Sequence, residues 1–266
     1  MPKQTHHQKK TSPSSLSHSD EMTDGYEPRF YREWTGGHLK QPLKKFNITQ
    51  QESDLDLYVT NDVNGAEETL ADCRRILIAH IEKEPAFKDS LVPIAVKTDD
   101  PPMIQKMKEA ALLAGVGPMA AVAGMVAEIV GKQLAKDNPD VIVENGGDLY
   151  LSLATTRRVL IYAGLSPLSN RLALEIKPEN TPLGICTSSG TFGHSLSFGK
   201  ADAVVILSQD PALADAVATA TANRVQTVED LQAAVQYASK ISGILGAVAI
   251  KDDSMAAWGD LNLKKF

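Results

Sequence analysis

The chain has 266 residues, 43% of them hydrophobic, and a formal net charge of −6 with a pI near 5.5. A chain of this length can bury a sizeable core, and an acidic balance without a long basic run excludes a nucleic-acid-binding surface. Two cysteines, Cys73 and Cys186, are too few for a disulfide framework and point to a reducing, cytoplasmic setting.

From Met1 to about Gly25 the sequence is polar, with neither the apolar core of a signal peptide nor a cysteine for a lipid anchor. It reads as a disordered tail with little to bury, and His6, His7 and His18 read as solvated rather than metal-binding. Residues 26–266 read as one compact domain, since no Gly-, Ser- or Pro-rich linker and no internal repeat divides them. "FYREW" (Phe30–Trp34) has the look of a first strand. Lys44–Gln51 and Ser53–Thr60 alternate apolar and polar residues, which is a hairpin signal.

Next comes a helix through "NGAEETLADCRRILIAHIEKE". Asn64 with Glu67 three residues on resembles a capping box. Leu70, Cys73, Leu77 and Ile81 share one face, so Cys73 reads as a core thiol, and His80, near that face, as packed rather than liganding. After the break "KTDDPP" a helix is expected over about Met103–Leu113. Pro118 then opens a second, running to about Lys136. The uncharged stretch Ala110–Ala127 is near the lower length limit for a membrane span. Its Ala and Gly content and the "GVGP" break favour a buried helix, and no membrane association is expected. This helix and Ala212–Ala222, both rich in small residues, predict close packing, and a homodimer in which one of them faces a second copy fits that composition.

"DVIVENGGDLYLSLA" reads strand, tight turn, strand. Val159–Ala163 and Leu172–Ile176 continue as strands, and "LGICTSSG" ends another. "ADAVVILS" is a strand again, and "DPALADAVATATANRV" a helix with Asp210 as N-cap and Pro211 at its first position. Val228–Ala238 is helical, and "GILGAVAI" and "SMAAW" close the chain as strands. Strands in runs with helices in blocks predict an α+β fold with antiparallel sheet and packed helices rather than a doubly wound parallel one.

Four stretches carry the chemical signals. Asp215, Thr219 and Asn223, spaced i, i+4, i+8, stack along one helix face and offer the hard oxygen ligands that magnesium or calcium prefers; a solvated polar stripe has the same spacing. "ENGGDLYL" puts Asn145, Gly146, Gly147 and Asp148 at a tight turn that a ligand can approach closely, or that is a plain hairpin. "AGVGPMAAVAG" places Gly117 before a helix start, where free amides and the helix dipole suit a phosphate or carboxylate, although it is neither a Walker loop nor a complete Rossmann fingerprint. In "GICTSSGTFGHSLSFGKAD", Thr187, Ser188 and Ser189 supply hydroxyls and Gly190, Gly193 and Gly199 keep the backbone open. That composition suits a pyrophosphate or a ribityl chain, with His194 as donor to an anion; a long loop without a ligand is the competing reading. Cys186, at a strand end beside free amides, reads either as a thiolate of lowered pKa or as a buried small hydrophobe.

In chain order these stretches resemble the ApbE-like superfamily, the flavin (FMN) transferases, over roughly Ala110–Val225. "NGGDLYL", "CTSSG" followed by His194, and above all "ADAVATATANRV" carry the resemblance. It implies an α+β fold related to the tunnelling fold. It implies magnesium bound by Asp215 and Thr219, with a backbone carbonyl near Gly117–Met119, beside the diphosphate of FAD or FMN. On this resemblance the glycine turns hold a phosphorylated small molecule, and His194 or Asp148 orients the acceptor. Two features depart from the transferases: "PMAAVAG" lacks their lysine, and the lipoprotein signal is missing. The chain therefore looks like a short cytosolic branch of the superfamily. Three functions stay open: a magnesium-dependent transferase, a sulfur- or persulfide-transfer protein acting through Cys186, and a non-catalytic ligand-binding module.

Overall fold

The computed structural model describes residues 43–190 and 198–266. The tail expected over 1–25, the strand expected at Phe30–Trp34, and His194 lie outside them. The elements in order are β1 (Lys44–Gln50), β2 (Ser53–Val59), α1 (Ala66–Lys83), α2 (Ala86–Asp89), α3 (Pro102–Ala114), a 3₁₀ turn (Pro118–Ala121) and α4 (Val122–Leu134). They continue with β3 (Val141–Asn145), β4 (Asp148–Ser152), β5 (Arg157–Leu160), β6 (Leu172–Ile176), β7 (Leu183–Ser188), β8 (Ala203–Ser208) and α5 (Pro211–Ala222). A short 3₁₀ turn (Val228–Asp230), α6 (Leu231–Ser239), β9 (Ile244–Lys251), β10 (Ser254–Gly259) and β11 (Leu263–Lys265) complete the chain.

Eight strands form one sheet in the order β1-β2-β3-β4-β7-β8-β9-β10, and three form a second, β11-β6-β5. Every neighbouring pair is antiparallel, as the run-and-block pattern predicts. The helices cover one face of the large sheet, where Leu57, Val143, Tyr150, Cys186 and Ile206 join the helical core. The small sheet covers the other face, over Ile142, Leu149, Leu151, Ile185 and Val205. Strands covered on both sides must be apolar on both sides, which is why "AVVILS" and "ILGAVAI" lack clean alternation.

Helix α5 lies in the middle of the helical layer, against α3, α4, α6, β7 and β8. Every residue of it is buried except the half-buried Thr219. A helix enclosed on all sides must be thin, and its six alanines between Ala212 and Ala222 make it so. The expected cap holds: the Asp210 side chain accepts a hydrogen bond from the Leu213 amide at 3.2 Å, with Pro211 following. The neighbours are cut to fit. A Cβ on Gly124 of α4 would come within 2.2 Å of the Pro211 carbonyl oxygen, and one on Gly184 of β7 within 2.6 Å of the Pro211 Cα.

Three local expectations are revised. The cap of α1 is Gly65 at φ 77°, with no side-chain hydrogen bond, so Asn64 and Glu67 form no capping box. The helix expected from Pro118 begins as a 3₁₀ turn and becomes α-helical only at Val122. Val159–Ala163 pairs as a strand only to Leu160, the strand starting at Arg157. The stretch considered as a membrane span is split between two helices bent by 105° around Gly115–Gly117, and no single described helix is long and apolar enough to cross a membrane.

Where α1, α3 and the 97–100 turn meet, a buried ion network replaces apolar packing. Lys108 is fully buried, and its Nζ lies 2.7 Å from both Glu84 and Asp100. His80 Nε2 is 3.1 Å from Glu84, and the ring meets Phe87 edge-on. Removing Lys108 leaves Asp100 charged without an ammonium partner, while Glu84 keeps Lys97. Lys108→Met is therefore expected to cost about 3–5 kcal/mol in urea denaturation; a loss well below that would mean that water reaches Glu84 and Asp100.

Candidate functional site

The sheet register builds the site. Gly146 and Gly147, at φ 68° and 111°, make the two-residue turn between β3 and β4, a backbone shape suited to glycine. Asp148 therefore pairs directly with Asn145 on one side and with Cys186 of β7 on the other. Side chains alternate along β7, so Cys186 and Ser188 face the helices, while Thr187, opposite Val205, faces the small sheet. Of the expected hydroxyl trio only Ser188 points to the helical side. Thr187 contributes its backbone amide to the Asp148 carboxylate, and the Ser189 hydroxyl leans on the Ala201 carbonyl at 3.5 Å.

Helix α5 brings Asp215 over this patch. Its carboxylate accepts from the Gly124 amide at 2.9 Å, and the Ala123 amide faces it as well. Asn145 Nδ2 donates to the Ala123 carbonyl at 3.2 Å, which ties the glycine turn to the same bend. The amides that open α4 are thus spent on a carboxylate of the chain itself. Gly117, expected among the ligand-binding residues, packs against Ser90, whose carbonyl a Cβ there would meet at 1.7 Å. The backbone amides that bond Asp215 are those of Ala123 and Gly124. A glycine inside the Ala-rich start of a helix was the sequence signal for them.

Thr219 follows one turn after Asp215 on α5 and is half-buried. Asn223, one turn further, caps the helix and accepts from the Phe198 amide at 2.8 Å. It thereby holds the backbone at Phe198 against the end of α5. Beside it is a close crossing: a Cβ on Gly190 would meet the Gly199 carbonyl oxygen at 2.0 Å, and one on Gly199 the Ala222 carbonyl oxygen at 1.8 Å. In these two glycines the small residue is required by backbone contact.

The electrostatics follow from burial. Asp148 and Asp215 are about nine-tenths buried, and among the described residues neither forms an ion pair. Desolvation pushes the Asp148 carboxyl up to about 7, with Glu144 adding to the rise; the Cys186 thiol and the Thr187 amide oppose it. Asp215 is raised well above the usual carboxylate range by desolvation and by Asp148, against the pull of Gly124 and Ala123. Cys186 is fully buried, and its Sγ donates to the Pro211 carbonyl at 3.4 Å. Burial and the two carboxylates push its thiol up, the reverse of the lowered pKa expected of a thiolate nucleophile. Cys73 is likewise free and buried, its thiol raised to about 11 by desolvation.

Asp148 Oδ1 and Ser188 Oγ are buried without a hydrogen-bond partner. A second group with metal-ligand chemistry, His80, Glu84 and Asp100, has its ligand atoms within 4.8 Å of one another. There the Lys108 ammonium already occupies the cationic position.

A family model described as AbpE bacteria matches residues 37–250. A UPF0280 protein of Methanocella arvoryzae is 42% identical over 195 residues, 73% of this chain and 79% of that one. Another, from Methanospirillum hungatei, is 43% identical over 200 residues, 75% of this chain and 80% of that one. Among solved structures, a mutant of the flavin transferase ApbE from Vibrio cholerae superposes with a TM-score of 0.50 at 13% identity, covering 81% of this chain and 96% of that one. At that identity the likeness is one of fold.

The buried carboxyls make stability depend on pH in a direction opposite to that of ordinary surface carboxylates. With the Asp148 carboxyl at about 7, well above the ordinary aspartate value of 3.8, the native state keeps a proton that the unfolded chain has lost. Its contribution is complete below the unfolded value and is lost as the pH rises toward the folded one. Asp148→Asn is expected to flatten the decline of the urea midpoint between about pH 4 and about pH 7; an unchanged slope would show that this carboxyl titrates normally.

Proposed function

The chain belongs to the family described as AbpE bacteria, within the ApbE-like superfamily, and on that premise we propose that the Asp148–Asp215 site binds a flavin nucleotide or a similar diphosphate together with a divalent cation, in a transferase. The observation that carries the reading is the pair of buried carboxylates with no basic partner among the described residues. Two anions in a desolvated patch are costly unless a cation joins them. A bare diphosphate, itself anionic, would be repelled by the same patch.

The donor set fits magnesium, which takes carboxylate and hydroxyl oxygens. Asp215 and Thr219 would hold it, on a helix whose packing leaves them little freedom to move. When bound, such an ion offsets diphosphate charge and polarises the bond to be cut. The chain's own residues supply position. The Gly124 and Ala123 amides fix one side of the Asp215 carboxylate, so that its outward side is presented in a set direction. Gly146 and Gly147 let a ligand approach the backbone beside Asp148, and the crossing at Gly190 and Gly199 brings the serine-rich strand end to the same place. Cys186, buried and held as a thiol, is poorly suited to attack a substrate, which weakens the sulfur-transfer reading.

Flavin fluorescence titration with FAD tests this. Binding is expected with magnesium, is lost when the metal is chelated, and weakens about tenfold or more in Asp215→Ala and Thr219→Val. Equal affinity with and without metal, or in wild type and Asp215→Ala, would overturn it.

A further inference from the structure

The cross-strand pair of Cys186 and Asp148 is not explained by a hard, oxygen-loving cation alone. The two residues sit directly opposite each other on β7 and β4, both on the helix-facing side. Asp148 is 8% exposed, and its Oδ1 has no hydrogen-bond partner. Ser188, 6% exposed and two residues along the same face of β7, holds a second partnerless oxygen. The Cys186 Sγ reaches the Pro211 carbonyl at 3.4 Å, a contact of a weak donor. Two orphaned oxygens and a thiol thus share one desolvated patch, and Asp215 lies near enough to repel negative charge on the sulfur.

That repulsion reverses sign for a dication. Each carboxylate that disfavours a lone thiolate attracts the ion, and a coordinated thiol is deprotonated outright. Magnesium would leave the sulfur unused, whereas zinc and its congeners accept thiolate and carboxylate together. We propose that Cys186 Sγ and Asp148 Oδ1, with Ser188 Oγ beside them, form a position for a thiophilic divalent cation of the zinc class, adjacent to the Asp215–Thr219 end of the site. On binding, the S–H bond breaks, its proton leaves to solvent, and the sulfur electron pair joins the metal. The position needs no flavin, so it stands or falls apart from the diphosphate reading.

The probe is cadmium, titrated in the absence of flavin into Cys73→Ser protein, so that Cys186 is the sole thiol. A sulfur-to-cadmium charge-transfer absorption that saturates at a single equivalent is expected. It should vanish when Cys186→Ala is added, and the affinity should fall about tenfold or more with Asp148→Asn, which keeps the side chain's shape. The cadmium-induced rise in melting temperature should shrink in the same Asp148→Asn protein. No absorption in Cys73→Ser protein, an undiminished one after Cys186→Ala, or cadmium affinity unchanged by Asp148→Asn would overturn the proposal.

Discussion

The structure turns on the burial of a single carboxylate, that of Asp215, in the middle of its most enclosed helix. An alanine helix packed on all sides offers no solvent to a charge, so the surroundings must supply polar groups. They do so with the first amides of α4, and this fixes α4 against α5. The close approach requires glycine at 124, and the same contact sets the Ala123 carbonyl within reach of Asn145. One ionisable group thereby positions a helix start, a glycine turn and a strand end relative to one another. The amides do not offset desolvation fully, and the Asp148 carboxyl nearby adds to the cost of ionising Asp215. Among the described residues no basic side chain pairs with either carboxyl.

The ion network around Lys108 is the contrasting case. It, too, collects carboxylates and a histidine in a buried place, but an ammonium of the chain balances them. The same residue types therefore mean different things at the two sites. What separates them is whether a cation is built in.

Much of this was legible in the sequence where the signal is local. The hairpin of β1 and β2, the Asp210-Pro211 start of α5 and the glycine turn before Asp148 rest on residues a few positions apart, and they form where the pattern places them. The cap of α1 misled because Gly65, in a left-handed conformation, ends the turn before Asn64 can act. The facing of Thr187 depends on alternation within β7, which short polar runs do not reveal. The opposition of Asp148 and Cys186 depends on strand register between segments far apart in the chain, and no periodicity encodes it. The role of Gly124 was hidden for a similar reason: its partner lies on another helix, and a glycine in an alanine-rich stretch reads simply as small.

The crossing of Gly190 and Gly199 has a consequence for how this architecture can diverge. Because the two glycine backbones meet and are tied to Ala201 and Asn223, residues 190 and 198–199 are two fixed points a short distance apart. The entropy of closing a loop between fixed ends grows only with the logarithm of its length, about 0.6 kcal/mol per doubling. Changes of chain length between those points therefore cost little, while the sheet and the alanine helix stay unaltered.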